Sequence, residues 1–230
     1  MVKYVLTGAT GQLGSRVFKH LIELVPRKHS VLAGHIAFSH IIYAASDIVV
    51  SLYNPSGATP DIQTSGVEVR KGDYSQPKTL DTAFAGGDKL LIVSYPSIAY
   101  EVRVESHKAA IDAAKRVGIK HVYYTSLMFA DDSQAAVMQA HLATEKYLKE
   151  SGLIYTIIRE GIYSESWPLY FGYWKPERPG REVLIPHGEG GIAWVCRDDL
   201  GEGTAKLMVA VWKVSHLCEV SRLMKLTGCA

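Results

Sequence analysis

The 230-residue chain lacks the marks of several protein classes. Cysteine is scarce, with three residues that all lie in the last third, and an odd, small number favours a reducing compartment over a disulfide framework. Neither sign of charge dominates, because the sequence has 25 Lys and Arg residues and 23 Asp and Glu residues, which gives a net charge of +2. With no basic cluster either, we expect no nucleic-acid partner.

Long hydrophobic runs are also missing. The longest apolar-rich stretch, Val31 to Tyr43, is interrupted by glycine, serine and histidine, and is too short and too polar to span a bilayer. The first apolar run is short and leads directly into a glycine-rich turn, which does not resemble a signal peptide. We therefore expect a cytoplasmic protein with no membrane partner.

Metal-ligand spacing is absent as well. His29, His35 and His40 are six and five residues apart, which places them on neither one helix face nor one strand face. His187 and the Asp198-Asp199 pair have no other ligands at a suitable spacing. The sequence therefore predicts no metal site.

Short apolar runs alternate with amphipathic segments along most of the chain. Strands are predicted at Val2–Leu6, Asp47–Tyr53, Val67–Lys71, Lys89–Ser94, His121–Ser126 and Tyr155–Arg159. Helices are predicted at Leu13–Val25, Thr79–Phe84, Ala99–Val117, Ser133–Ser151 and Asp198–Ala210. This alternation predicts an α/β fold with a doubly wound, Rossmann-type parallel sheet over residues 1–160. Residues 161–230 begin with a stretch rich in Trp, Tyr, Pro and Gly, which indicates a small substrate-binding region.

The most informative motif is the turn Gly8-Ala9-Thr10-Gly11-Gln12-Leu13-Gly14 between the first strand and the first helix. Its glycines allow a tight turn, a close approach of backbone N–H groups to a pyrophosphate, and close packing of helix on sheet. The helix N-terminus adds unpaired N–H donors and a partial positive charge. We therefore expect Gly8, Thr10, Gly11, Gln12, Leu13 and Gly14 to bind a nicotinamide dinucleotide; the alternative is a turn that binds nothing.

Three later strand ends are candidates for the same cofactor. Asp73 and Tyr74 follow the third strand, where an acidic side chain can meet the adenine amino group or simply cap a helix. Ser94, Tyr95 and Pro96 follow the fourth strand, near the expected nicotinamide ribose, or form a plain loop. Asn54 and Ser56 follow the second strand, where an acidic residue selects NAD(H) and an arginine accommodates NADP(H). Because both are uncharged, the residues leave this choice open.

Several motifs in order resemble the NmrA-like branch of the atypical short-chain dehydrogenase/reductases, the group that includes triphenylmethane reductases and NAD(P)H:quinone oxidoreductases. They are the Gly8–Gly14 turn, the segment from Gly66 to Pro77, His141-Leu142-Ala143-Thr144-Glu145, and Tyr155-Thr156-Ile157-Ile158-Arg159. The resemblance implies NAD(P)H-dependent reduction of a small quinone-like or dye-like acceptor, with a slight preference for NADP(H). Some relatives only sense the dinucleotide and regulate a protein partner, which is the alternative function.

Catalysis by a tyrosine–lysine pair is not expected, because Tyr123, Tyr147 and Tyr155 are followed four residues later by Leu127, Ser151 and Arg159 rather than by lysine. Direct hydride transfer needs less from the protein, since the cofactor carries the chemistry. Ser126 occupies the strand end where related enzymes place a hydroxyl, or is a cap. His141 is a candidate proton donor, or pairs with Glu145 one helical turn away.

An aromatic cluster after the last predicted strand can line a pocket for a flat acceptor or pack in the interior. It comprises Tyr163, Trp167, Tyr170, Phe171, Tyr173 and Trp174.

Two segments depart from the pattern of the family. Residues 27–45 form an atypical apolar insertion where a short connection is expected. Residues 211–230 form an atypical tail, so the substrate region is expected to be truncated. In the tail, apolar residues at helical spacing predict one helix face. They are Val211, Val214, Leu217 or Cys218, and Leu223 or Met224.

Overall fold

The computed structural model describes residues 2–25, 45–129, 131, 133–170, 192 and 194–210, together with the backbone of 216–219. The insertion predicted at 27–45 therefore lies outside the described residues except for Ala45, which begins a short 3-10 turn. Among the described helices, none is long and apolar enough to cross a membrane.

A parallel sheet of seven strands forms the centre of the fold. The strands are β1 (Tyr4–Thr7), β2 (Ile48–Leu52), β3 (Glu68–Lys71), β4 (Lys89–Ile92), β5 (His121–Leu127), β6 (Ile154–Glu160) and β9 (His216–Glu219). They lie in the order β3-β2-β1-β4-β5-β6-β9, and all neighbouring pairs are parallel. This confirms the predicted doubly wound parallel sheet, whose strand order reverses between β1 and β4.

Helices connect the strands and cover both faces of the sheet. They are α1 (Gly14–Leu24), α2 (Pro60–Ser65), α3 (Pro77–Phe84), α4 (Tyr100–Val117), α5 (Ala136–Glu150), α6 (Trp167–Tyr170) and α7 (Arg197–Val209). Helices α1 and α7 pack together, while α3 packs on α4 and α4 on α5. A two-stranded parallel unit, β7 (Ile162–Tyr163) with β8 (Trp194–Val195), stands beside the main sheet.

Alternation along each buried strand divides the interior into two cores. On β1, Leu6 packs in the core beneath α1 and α7, whereas Val5 packs in the core beneath α3, α4 and α5. On β5, Tyr123 and Tyr124 divide in the same way, and both are fully buried. Because all neighbouring strands are parallel and in register, their carboxyl ends lie along one edge of the sheet.

The C-terminal part differs from the sequence-based expectation. Leu217 and Cys218 were predicted on a helix, but they lie in β9, which pairs with β6. A row of hydrogen-bonding groups on the exposed side of β6 favours an added strand there. The rest of the predicted stripe lies outside the described residues. The short helix α2 and the β7–β8 pair were not predicted.

Candidate active site

The turn between β1 and α1 has the backbone that its glycines predict. Gly8 has φ +68°, a left-handed conformation that favours glycine. A Cβ on Gly14 would lie 2.1 Å from the carbonyl oxygen of Gly8, and one on Gly11 would lie 3.1 Å from the same atom. The turn closes through the Gly11 N–H, which donates to that oxygen over 2.9 Å. The local geometry alone therefore requires glycine at position 14, favours it at position 8 and leaves little room for a side chain at position 11.

The N-terminus of α1 directly follows this loop and has no side-chain cap. Leu13 precedes the helix and makes no side-chain capping bond, and no acidic residue lies in the first turn. The backbone N–H groups that follow Gly14 already donate to the carbonyls of Gly11 and Leu13, so the helix dipole is what favours an anion here. Thr10, Gly11 and Gln12 are exposed, whereas Leu13 is buried beneath them. Gln12 also accepts a hydrogen bond from Arg197 of α7 (2.9 Å).

The end of β2 carries a small polar turn. Asn54 Oδ1 accepts hydrogen bonds from the Ser56 N–H (3.2 Å) and the Ser56 hydroxyl (2.8 Å). Both residues are exposed, so the two side chains stabilise the turn and remain accessible. Neither carries a charge that selects one form of a dinucleotide.

The end of β3 holds a fixed carboxylate. Asp73 is buried, and its Oδ1 accepts from the Ser75 hydroxyl (2.7 Å) and the Ser75 N–H (2.9 Å). These hydrogen bonds keep the pKa of Asp73 below its usual value. Next to it, the Tyr74 ring stands edge-on to the Tyr95 ring, with 5.5 Å between the ring centroids. The structure therefore brings together the predicted residues that follow β3 and β4.

The loop after β4 is tied to α4 by a buried histidine. The Tyr95 N–H donates to His107 Nε2 over 2.8 Å. His107 Nδ1 therefore carries the proton and donates to Thr144 Oγ1, also over 2.8 Å. The Ser94 hydroxyl accepts from Arg103 Nη1 (2.9 Å). Pro96 follows on the exposed side of the same loop.

His141 belongs to the same buried network. Its Nε2 accepts from Arg103 Nη1 (3.2 Å), which leaves the proton on Nδ1 for donation to the Tyr124 hydroxyl (2.9 Å). Burial, and next the positive charge of Arg103, lower the pKa of His141 to about 3. A neutral imidazole with both nitrogens engaged holds Tyr124 and Arg103 in place. The one proton of this neutral imidazole is donated to Tyr124, so His141 is not a free acid at neutral pH.

Ser126 and Glu145 take part in a second network. The Ser126 hydroxyl donates to Glu145 Oε1 (2.7 Å), and Arg159 donates to both oxygens of that carboxylate. Arg159 also pairs with Asp131 of the loop after β5. Glu145 therefore bonds to Ser126 and Arg159 rather than to His141, and Ser126 is 1% exposed. The arrangement anchors α5 and the loop to the ends of β5 and β6.

A further acidic group lies at the end of β6 and was not singled out from the sequence. Glu160 is 2% exposed, and its Oε2 accepts from the Tyr163 hydroxyl over 3.2 Å. Burial raises the pKa of Glu160 to about 8. The rule that drew attention to Asp73, an acidic residue directly after a buried strand, also applies to Glu160.

Most of the predicted aromatic cluster lies outside the described side chains. Tyr163 is half-buried against the α1–α7 core, and Trp167 is 49% exposed. The guanidinium of Arg197 lies 5.8 Å from the centroid of the Tyr163 ring. The described residues contain no group of three or more His, Cys, Asp or Glu side chains suited to a metal ion.

This fold and site define the class of protein. The NmrA-like family model matches residues 3–211, and the chain belongs to the NmrA-like family. It is 36% identical over 213 residues to the NmrA-like family domain-containing oxidoreductase flvB of Aspergillus flavus, covering 90% of this chain and 62% of that protein. It is 37% identical over 204 residues to quinone oxidoreductase 2 of Escherichia coli, covering 88% of this chain and 63% of that protein.

Solved structures agree with the sequence relatives. Citrobacter sp. triphenylmethane reductase complexed with NADP(H) aligns with a TM-score of 0.75 and 29% identity, over 94% of this chain and 68% of that one. An Escherichia coli NADPH-dependent quinone oxidoreductase complexed with NADPH aligns with a TM-score of 0.72 and 31% identity, over 93% of this chain and 67% of that one. The chain spans less than two thirds of the length of the two curated relatives.

Proposed function

We propose that this chain binds a nicotinamide dinucleotide at the Gly8–Gly14 turn and reduces a quinone-like or dye-like acceptor by direct hydride transfer. The observation that carries the proposal is the contact of Gly14 with the Gly8 carbonyl, 2.1 Å from where a Cβ would stand. This tight turn leads into the N-terminus of α1, which has no side-chain cap. The turn lies where the strand order reverses, which is where ligands of doubly wound sheets bind. The named activities of the relatives supply the reaction class.

The residues at the strand ends fit such a cofactor from one end to the other. The N–H groups of Gln12 and Leu13 would hold the pyrophosphate, and the Asp73 carboxylate would accept from the adenine amino group. Ser94 and Tyr95 would lie beside the nicotinamide ribose. When bound in reduced form, the dinucleotide supplies the hydride. The protein's part is to exclude water, orient the acceptor and manage the accompanying proton.

Asn54 and Ser56 would contact the 2′ group of the adenosine ribose. Their hydroxyl and amide groups can bond either a ribose hydroxyl or a phosphate. The complexes of the relatives with NADP(H) and NADPH favour NADP(H), while the absence of an arginine just after β2 predicts a weaker preference than a charged site gives.

Ser126 and His141 enter this proposal as positioning residues. Ser126 bonds Glu145 and His141 bonds Tyr124 and Arg103, so each holds a neighbour at the edge where the acceptor would bind. An alternative in which the chain senses the dinucleotide and regulates a protein partner predicts the same binding without turnover.

The test is a fluorescence titration with NADPH and NADH, followed by oxidation assays on a small panel of quinones and triarylmethane dyes. Saturable binding with turnover on at least one acceptor supports the reductase. Tight binding with no turnover on the whole panel would favour the sensor.

A further inference from the structure

Glu160 is an acid that the fold leaves incompletely bonded at the edge of the sheet. Its Oε1 is buried and has no hydrogen-bond partner among the residues that the structure describes, while Oε2 accepts only the Tyr163 hydroxyl. Burying a polar oxygen without a partner is costly, so such atoms commonly serve a ligand or a reaction. Glu160 ends β6, beside Leu127 of β5, at the same edge as the glycine turn.

The described surroundings leave this acid without an ion pair. Its neighbour Arg159 bonds Glu145 and Asp131, so it does not form an ion pair with Glu160. The ionisable group that faces Glu160 is the Tyr163 hydroxyl, on which Arg103 of α4 and Arg197 of α7 both act electrostatically. With its pKa raised to about 8 by burial, the Glu160 carboxyl holds its proton at neutral pH.

We propose that Glu160 is the proton donor to the carbonyl oxygen of a quinone-type acceptor. The assignment rests on the reductase function proposed above. It follows from a buried carboxyl with one unbonded oxygen at the strand end, next to a phenol that can support the anion left behind. Ser126 already donates its hydroxyl proton to Glu145, and His141 donates its ring proton to Tyr124.

The step balances as follows. The quinone gains a hydride, hence two electrons and one hydrogen, and becomes a hydroquinone monoanion while the nicotinamide is oxidised. The O–H bond of Glu160 breaks and a new O–H bond forms on that anion, which gives the neutral hydroquinone. Glu160 is left as a carboxylate that accepts the Tyr163 hydrogen bond and regains its proton from water before the next cycle.

Acceptor chemistry separates this role from a structural one. A cationic triarylmethane dye accepts a hydride at its central carbon and becomes neutral without a proton. A quinone needs a proton in addition to the hydride to become the neutral hydroquinone. Loss of the Glu160 proton therefore impairs quinone reduction selectively, whereas a general disturbance of the site impairs both reactions alike.

The experiment compares Glu160→Gln with the exposed control Glu150→Gln and the unmodified chain. We expect Glu160→Gln to lower the ratio of quinone to dye kcat/KM by about 100-fold, within the range for general acids, and Glu150→Gln to leave the ratio unchanged. Infrared titration gives a readout without turnover: a protonated carboxyl band that fades as the pH passes about 8 and is missing in Glu160→Gln.

Each other outcome overturns the proposal. An unchanged ratio in Glu160→Gln, alongside working quinone reduction, refutes the proton donor and leaves the reductase intact. A missing carboxyl band at neutral pH refutes the protonated state. An unmodified chain that reduces no quinone refutes the reductase function, and the Glu160 assignment with it.

Discussion

Acid should destabilise the protein through its two buried histidines. Burial lowers the pKa values of His107 and His141 to about 3, from the ordinary 6.5; His141 and then Arg103 add to the shift of His107, and Arg103 adds to that of His141. Below pH 6.5 the unfolded chain binds protons that the folded chain does not, so the free energy of unfolding falls as the pH falls. The stability is complete above 6.5, and it is lost progressively until the pH reaches the folded-state values.

The size of the effect follows from the pKa values. One pH unit is worth about 1.4 kcal/mol per group, so each histidine lowers the free energy of unfolding by about 3 kcal/mol between pH 6.5 and pH 4.5. Glu160 has the opposite sign, because its pKa rises from 4.5 to about 8. Its stabilising contribution is complete below 4.5 and is lost as the pH rises through 8. The three groups together predict that the free energy of unfolding falls by about 3 kcal/mol between pH 6.5 and pH 4.5. That is a large part of the roughly 5–15 kcal/mol by which a native protein is typically stable.

Urea unfolding at several pH values measures this balance. His141→Gln keeps an acceptor for Arg103 but does not titrate, so the loss between the two pH values should shrink by about 3 kcal/mol. Glu160→Gln should enlarge it by a similar amount. Identical pH dependence in the unmodified chain and His141→Gln would refute the reasoning, as would an NMR titration in which either buried histidine protonates near pH 6.5.

Three further predictions concern the dinucleotide site and its supports. Gly14→Ala places a methyl group against a backbone carbonyl, so urea unfolding should show a loss of about 1–3 kcal/mol and NADPH titration a weakening of at least about tenfold; an equal loss of stability for Gly57→Ala, whose Cβ would meet only Asn54 Nδ2 at an ordinary 3.8 Å, would contradict this. Arg159→Met removes the guanidinium that bonds both oxygens of the buried Glu145 and leaves it only Ser126 and the half-exposed Lys149 as partners, so it should cost about 3–5 kcal/mol in urea unfolding; a cost near zero would mean that the pair is solvated. Asn54→Asp should shift the ratio of NADPH to NADH affinity toward NADH by about tenfold, and an unchanged ratio would place the ribose elsewhere.

The fold was predictable because its signals are local. Buried strands such as β1 (Tyr4–Thr7) and β5 (His121–Leu127) carry apolar side chains on both faces, and the helices between the strands end at breakers such as Gly118. The glycine turn was predictable for the same reason, since Gly8 and Gly14 meet within one short loop.

The interior of the site was not predictable, because it depends on contacts between distant elements. The bond from Arg103 to His141 joins α4 to α5, and the Tyr95–His107 bond joins a loop to a helix. No spacing in the sequence specifies that His141 meets Tyr124 rather than Glu145. The strand at Leu217 was missed for a related reason: a short apolar run fits a helix face or a strand edge, and pairing with β6 decides between them.

The central claim is that the Gly8–Gly14 turn holds a nicotinamide dinucleotide. The most direct measurement is equilibrium titration of the chain with NADPH and NADH, followed by nucleotide fluorescence, alongside a circular dichroism spectrum that establishes folding. We predict saturable binding of at least one nucleotide and, from the complexes of the similar solved structures, tighter binding of NADPH. A folded chain that binds neither nucleotide would contradict the account.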